Sequence, residues 1–319
     1  ATAEEAEARA MEMIRVYAEF ATSQAAMPVV PGRKSRVESF AGANVTYTIE
    51  AMMGDKKALQ AGTSHNLGDN FAKAFDTTFL DDKGESKYVH QSSWGVSTRL
   101  IGGILMTHGD DSGLILPPRL APIQVVVVPI WKKDAEAEAV MASANGIIES
   151  LKAAGVRVEI DADQSKSPGW KFNQYEMKGV PIRIEVGPKD VEKNACVIAR
   201  RDVPGKEGKE FGVSVEPSAL QAKVSSVLDD IQDSMLRKAT AFRDENIVDV
   251  ASMDELKAVI AEGKWARCGW EGTDEEEKAI KEETGATIRC FPFDQPAGPH
   301  ACLMSGKPAK EVCIFAKSY

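Results

Sequence analysis

The sequence predicts a multidomain chain of mixed α/β and α+β class. Three observations carry that expectation. The chain has 319 residues, more than one ordinary domain uses. Its hydrophobic rhythm changes after Pro117-Pro118, from alternating strands to β-branched runs separated by helices. A third stretch, from about Asp244, is acidic and rich in Cys and Trp. With 43% hydrophobic and 27% charged residues, the chain can fill real cores and is too apolar for wholesale disorder.

The elements follow in order. Thr2-x-x-Glu5 is a capping box that opens a helix, continued at helical spacing by Met13, Ile14, Tyr17 and Phe20. Pro28 and Pro31-Gly32 are expected to close it. Segment 44–52 alternates Val45, Tyr47, Ile49 and Ala51, the pattern of a strand with one buried face. Short strands are expected at 58–63 and 87–94, then a helix over 97–107 and a turn over 108–113. Beyond the proline pair, strands are expected at 123–130, 156–160, 182–186 and 195–199. Helices are expected at 135–154, 170–178 and 219–242, and this alternation predicts a largely parallel sheet.

Charge narrows the function classes. A net charge of −9 excludes a globally basic nucleic-acid coat. The charge is uneven, however. Segment 166–210 carries ten Lys/Arg against seven Asp/Glu, while segment 244–285 carries five against thirteen. A local basic face can still hold a polyanion. The longest apolar run, 125–130, is too short to span a bilayer, so no membrane partner is expected. The chain opens on Ala-Thr-Ala-Glu-Glu with neither an apolar h-region nor a Met, and its true start is expected upstream. Five cysteines, an odd and sparse count, suit a reducing compartment.

Two segments carry more specific chemistry. One is Ala58-Leu-Gln-Ala-Gly-Thr-Ser-His65 followed by Asn66-Leu-Gly68. The other is Trp94-Gly-Val-Ser-Thr-Arg99-Leu-Ile-Gly-Gly103, running into His108-Gly-Asp-Asp-Ser-Gly. Together they resemble the latter half of a class II aminoacyl-tRNA synthetase active site, the second containing that class's third motif. The match is to prolyl-tRNA synthetases of the eukaryotic/archaeal-like type. It continues through Ala121-Pro-Ile-Gln-Val-Val-Val-Val-Pro129, Gly179-Val-Pro-Ile-Arg-Ile-Glu-Val-Gly-Pro-Lys-Asp190 and Ala316-Lys-Ser-Tyr319, and so covers essentially the whole chain.

The resemblance implies part of an antiparallel-sheet catalytic domain over 1–118, an α/β anticodon-binding domain over 119–225 and a small α/β C-terminal domain over 226–319. It implies ATP and Mg2+, with proline and tRNA(Pro) as partners and a homodimer in the complete protein. Arg99 would meet the ATP phosphates, a task suited to a forked guanidinium at a helix start. Gln60 and Thr63 would contact the nucleotide. His65 would face the prolyl group, Trp94 would wall its pocket and Ser97 would bond substrate or ATP. Arg99 and His65 are thus the catalytic candidates. Glu176, Arg183, Lys189 and Asp190 fall where the family reads the anticodon, with donors and acceptors suited to base edges. Arg200-Arg201 is a candidate phosphate contact. His90, His108 and His300 read as structural.

The sequence also departs from the family pattern. The class's first and second motifs would precede Thr2, so a fragment of a longer protein is expected. Zinc wants two close ligand pairs. Cys268 lacks its partner and Cys302-Leu-Met-Ser305 ends in serine, so bound zinc is not expected. Cys290 and Cys313 read as buried thiols. There is no room between the first helix and Arg99 for a large editing insertion. The alternatives are a non-catalytic, synthetase-derived tRNA-binding protein and another class II synthetase such as the threonyl or histidyl enzyme. The compartment is cytoplasmic, or plastid or mitochondrial if a transit peptide lies upstream.

Overall fold

The computed structural model describes residues 2–298 and 300–319. The first stretch runs α1 (Ala3–Glu19), a π-helical turn (Phe20–Gln24), β1 (Val29–Arg33), β2 (Val45–Met52) and β3 (Ala58–Gly68). It continues through α2 (Asn70–Ala74), β4 (Thr78–Leu80), β5 (Ser86–Tyr88), β6 (Gln91–Gly95) and α3 (Arg99–His108). The middle stretch holds β7 (Val125–Pro129), α4 (Asp134–Ala153), β8 (Val158–Ile160), α5 (Pro168–Met177) and β9 (Ile182–Val186). Next come α6 (Pro188–Glu192), β10 (Ala195–Arg200), β11 (Lys209–Ser214) and α7 (Pro217–Glu245). The last stretch has β12 (Ile247–Asp249), α8 (Met253–Ala261), β13 (Trp265–Trp270), α9 (Asp274–Thr284) and β14 (Thr287–Pro292). It ends with β15 (His300–Ala301), β16 (Pro308–Ala309) and β17 (Glu311–Ala316).

The chain forms two compact units. One comprises the chain through Ser23, Met27–Thr107 and Ala239–Tyr319; the other comprises Gln24–Ala26 and His108–Lys238. In the first unit, a single sheet runs β12-β13-β17-β14-β1-β2-β3-β6. All its pairings are antiparallel except β12 with β13. The C-terminal strands therefore share a sheet with β1 to β3, joined where Gly32 pairs with Pro292 and Arg33 with Phe291.

That junction explains Pro31-Gly32, which serves a strand and not the expected end of the first helix. Both residues lie inside β1. A Cβ on Gly32 would sit 2.4 Å from the Phe291 carbonyl oxygen, so only glycine lets the strands meet. The helix itself ends earlier, through the π-helical turn at Phe20–Gln24, after which Met27 N–H donates to the Ala21 carbonyl. The capping box is formed: Thr2 accepts from Glu5 N–H at 3.2 Å, and Glu5 accepts from Thr2 N–H at 2.8 Å. Trp265, fully buried, packs with Met52, Ala58, Ile314 and Ala316 across the shared sheet and donates from its indole to the Lys56 carbonyl.

Helices α1 and α3 cover one face of this sheet. Ser64 donates to the Ala10 carbonyl at 2.8 Å, and Tyr47 bonds Glu7. The two glycines of α3 differ in their roles. A Cβ on Gly103 would lie 2.7 Å from Leu59, whereas one on Gly102 would meet nothing within 4 Å. Gly103 alone permits the close helix-on-sheet contact.

The second unit has the strand order β11-β10-β9-β7-β8. Its sheet is mixed rather than largely parallel. β7 pairs parallel with β8 and β9, while β9 to β10 and β10 to β11 are antiparallel. The reason lies in the connections. β9 reaches β10 through the five-residue α6, too short for the crossover a parallel neighbour needs. The valine run of β7 is buried on both faces. Val125 and Val127 join Ile147, Leu151, Leu220 and Val224 of α4 and α7, while Val126 and Val128 join Tyr175 and Val180 beneath α5. No helix among the described residues is long and apolar enough to cross a membrane.

Candidate functional site

On the first unit, the local geometry is set by a bulge. Across β2 and β3, Thr46 pairs with His65, Thr48 with Thr63 and Glu50 with Gln60; the register slips between Ile49 and Glu50. In a regular strand, Gln60 and Thr63 would point to opposite faces. The extra residue at Ala61 restores them to one face together with His65. This is the face opposite α1, and all three side chains are partly accessible there. Thr46 Oγ1 lies 3.0 Å from His65 Nδ1 and accepts the Phe40 N–H at 3.0 Å. The Phe40 ring leans on the imidazole with centroids 5.0 Å apart. Burial lowers the His65 pKa, which favours the neutral ring. When the Thr46 hydroxyl gives its proton to Nδ1, Nε2 keeps a hydrogen to offer a ligand.

The same face carries a buried charge network that no sequence motif marks. Glu50 is fully buried and accepts from Thr48 at 2.7 Å and from Arg289 Nε and Nη2 at 3.0 and 2.9 Å. Lys34 Nζ stands 3.7 Å away, its pKa lowered by burial against the pull of Glu50. A carboxylate and two cations from separate stretches of the chain gave no local motif to find.

Ser97 and Arg99 stand where the chain leaves β6. Arg99 opens α3, and its backbone N–H donates to Ser97 Oγ at 3.3 Å. Its side chain is exposed and makes no ion pair among the described residues. The expected role of Trp94 needs correction. Trp94 pairs with Ser64, and Ser93 with His65, so alternation puts the indole on the α1 face. Trp94 does not share the face of His65 and Thr63.

On the second unit, Arg183 is held from three sides. Nη1 lies 3.0 Å from Glu176, Nε lies 3.1 Å from Glu185, and the guanidinium carbon sits 3.9 Å over the Phe172 ring. Lys209 joins Glu185 at 2.7 Å. Arg183, Glu176, Phe172 and Lys209 line a cavity of about 310 Å³ together with Tyr175, Arg200 and Lys206. Sequence reasoning missed Phe172, Tyr175, Glu185 and Lys209. Helical spacing of Phe172, Tyr175 and Glu176, and strand spacing of Arg183 and Glu185, were the available signals.

Lys189 and Asp190 lie outside that cavity, at the start of α6. Lys189 is exposed, and Asp190 accepts the Gly187 N–H at 2.9 Å as a helix cap. The Arg200-Arg201 pair is engaged with carboxylates. Arg200 forks onto Asp202 and reaches Asp230, while Arg201 is bidentate to Asp110 and 6% exposed. Both guanidinium groups thus carry carboxylate partners within the unit.

The cysteine region retains a tight turn. Cys302 N–H donates to the Lys307 carbonyl, and Gly306 N–H donates to the Cys302 carbonyl. Burial acts to raise the Cys302 pKa, but hydrogen bonds from Ser305 and nearby backbone N–H groups outweigh it and lower it. Cys268 faces Cys313 with sulfurs 3.9 Å apart. Among the described residues, no three His, Cys, Asp or Glu converge as a metal site. His108 bonds the Ala25 carbonyl and His300 the Pro296 carbonyl, while His90 leaves a buried Nδ1 without a partner.

Comparisons with known proteins give these geometries a family. A profile described as an anticodon binding domain matches residues 124–226. Another, described as the C-terminal part of prolyl-tRNA synthetase, matches residues 253–319. The chain is 62% identical over 319 residues to the chloroplastic/mitochondrial proline–tRNA ligase of Arabidopsis thaliana, covering all of this chain and 59% of that protein. It is 50% identical over 320 residues to the proline–tRNA ligase of Roseiflexus sp. (strain RS-1), covering 66% of it. The crystal structure of prolyl-tRNA synthetase from Cryptosporidium parvum, complexed with L-proline and AMP, superposes with a TM-score of 0.92 at 38% identity. That match covers all of this chain and 68% of that one. An antiparallel sheet with helices on one face, beside a mixed-sheet unit that matches an anticodon binding domain, fits the aminoacyl-tRNA synthetase class. Within that class, the chain belongs to the prolyl-tRNA synthetase family. It spans 59% to 66% of the length of these curated relatives.

Proposed function

We propose that the protein carrying this chain is a proline–tRNA ligase. The proline carboxylate attacks the α-phosphorus of ATP, pyrophosphate leaves and prolyl-adenylate forms. A hydroxyl at the 3′ end of tRNA(Pro) then attacks the prolyl carbonyl and AMP leaves. The observation that carries the reading is the bulge that aligns Gln60, Thr63 and His65 on the sheet face away from α1. A homologous chain with proline and AMP bound supports the same reading.

In this proposal, Gln60 and Thr63 hydrogen-bond the nucleotide. His65 offers Nε2–H to the prolyl group, and Ser97 bonds substrate or ATP. Arg99 meets the phosphates with an uncommitted guanidinium, so its charge stabilises the developing pyrophosphate. The residues act by positioning and electrostatics, without a covalent nucleophile. Mg2+ would accompany the ATP phosphates. Glu50, on this face, already has its carboxylate taken by Thr48, Arg289 and Lys34.

The second unit binds the tRNA(Pro) anticodon. Arg183, braced by Glu176, presents a fixed fork to a base edge, with Lys189 and Asp190 in α6, which follows the same strand. A homodimer is expected by family likeness. A plastid or mitochondrial location follows the Arabidopsis relative's name. The test is ATP–pyrophosphate exchange with a panel of amino acids. Exchange with proline alone is expected. Exchange with threonine or histidine instead would overturn the substrate, and no exchange with any amino acid would favour a tRNA-binding protein without catalysis.

A further inference from the structure

We propose that α9, in the C-terminal segment, is a positioning element for His65 and acts through the loop that follows β1. This deepens the ligase reading and rests on His65 facing the prolyl group. Three side chains of α9 reach that loop. Glu277 accepts from Ser35 Oγ at 2.7 Å, with both residues buried (Glu277 4% and Ser35 3% exposed). Asp274 accepts from Arg36 Nε at 2.8 Å. Lys281 Nζ lies 3.3 Å from Glu38. The loop is also fixed internally, because Ser35 Oγ accepts the Glu38 N–H at 3.2 Å and the Ser35 carbonyl accepts from Ser39 at 2.7 Å.

The loop ends on the site. Phe40 N–H donates to Thr46 Oγ1, the atom that meets His65 Nδ1, and the Phe40 ring packs on the imidazole. The chain of contacts is therefore continuous, from Glu277 through Ser35 and the loop to Phe40, Thr46 and His65. None of the α9 residues contacts His65 itself, so their effect is on the placement of the ring. The buried Ser35–Glu277 bond is the link that matters most. It is shielded from water, whereas Arg36 is 84% exposed and its pair with Asp274 is worth little.

The experiment measures proline-dependent pyrophosphate exchange in the protein carrying this chain, comparing Glu277→Leu, Glu277→Gln, Ser35→Ala and the Ser35→Ala/Glu277→Leu double variant. Wild-type exchange is the control, and its absence would sink the ligase reading itself. Glu277→Leu and Ser35→Ala are each expected to raise KM for proline by about tenfold while kcat changes far less, the loss of one buried hydrogen bond acting on substrate placement. Glu277→Gln keeps an acceptor for Ser35 and is expected to restore KM. The double variant is expected to cost no more than either single one. An unchanged KM in Ser35→Ala, an additive double variant, or a Gln variant as impaired as Leu would overturn the proposal. Should Glu277→Leu not fold, Ser35→Ala and Glu277→Gln decide alone.

Discussion

The two units hold their key arginines in opposite ways. Arg99 stands exposed at the start of α3 with no carboxylate partner among the described residues. Arg183 is 8% exposed, gripped by Glu176 and Glu185 and stacked over Phe172. An uncommitted guanidinium suits a ligand that brings several negative charges of its own, since no internal ion pair has to be broken to meet it. A braced guanidinium suits a neutral base edge, where orientation carries the selectivity. The difference lies in what surrounds each arginine.

Substitutions can break this contrast, starting with the largest effect. Arg99→Ala is expected to lower proline-dependent pyrophosphate exchange by about a thousandfold or more, the scale of losing a transition-state charge donor. Far-ultraviolet circular dichroism should stay unchanged, and near-normal exchange would remove Arg99 from the phosphates. Arg289→Met comes next. It leaves the fully buried Glu50 with the Thr48 hydroxyl and, as its remaining cation, the more distant Lys34, and is expected to cost about 3–5 kcal/mol in denaturant unfolding. A cost near zero would mean that water reaches Glu50.

Glu277 gives a pH-dependent effect. Burial raises its carboxyl pKa from 4.5 to about 6. A raised pKa means that the folded state binds the proton more tightly. Its contribution to stability is complete below pH 4.5 and is lost as pH rises through about 6. Glu277→Gln is therefore expected to stabilise the fold by about 1–2 kcal/mol above pH 7, with the gain vanishing below pH 4.5. Melting temperatures across that range check it, and a gain independent of pH would contradict the burial argument. The smallest effect is expected at Lys189, which is exposed at the start of α6. Lys189→Ala should weaken aminoacylation a few-fold and reduce its salt dependence while sparing exchange. Equal loss of both reactions would argue against an anticodon role.

Much of the fold was legible in local patterns. The capping box at Thr2, the valine run of β7, and α4, α5 and α7 follow from periodicity and caps. The sharing of one sheet by the first and last stretches was not legible. It depends on Gly32 approaching Phe291, two residues far apart in sequence. The parallel expectation for the second sheet failed because α6 is a short connection.

The sites divide in the same way. Gln60, Thr63 and His65 stood out by resemblance, but their common face depends on the bulge opposite Ile49 and Glu50. Trp94 was misplaced because its neighbours in sequence do not reveal its strand register. Arg200 and Arg201 looked like a basic patch, yet their partners Asp202, Asp230 and Asp110 are supplied largely by distant parts of the unit. A charge run shows the ligand chemistry available, and only the fold shows which charges are already spent.

The separation of the two tasks is tested most directly by Arg183→Lys, with pyrophosphate exchange and aminoacylation measured on the same preparation. Lysine keeps the charge but cannot fork between Glu176 and Glu185 or stack flat on Phe172. The expected result is exchange unchanged within about twofold and KM for tRNA raised by about tenfold or more, the loss of a bidentate contact. Exchange and aminoacylation falling together, or neither changing, would contradict the assignment of activation to the β3 face and tRNA recognition to the second unit.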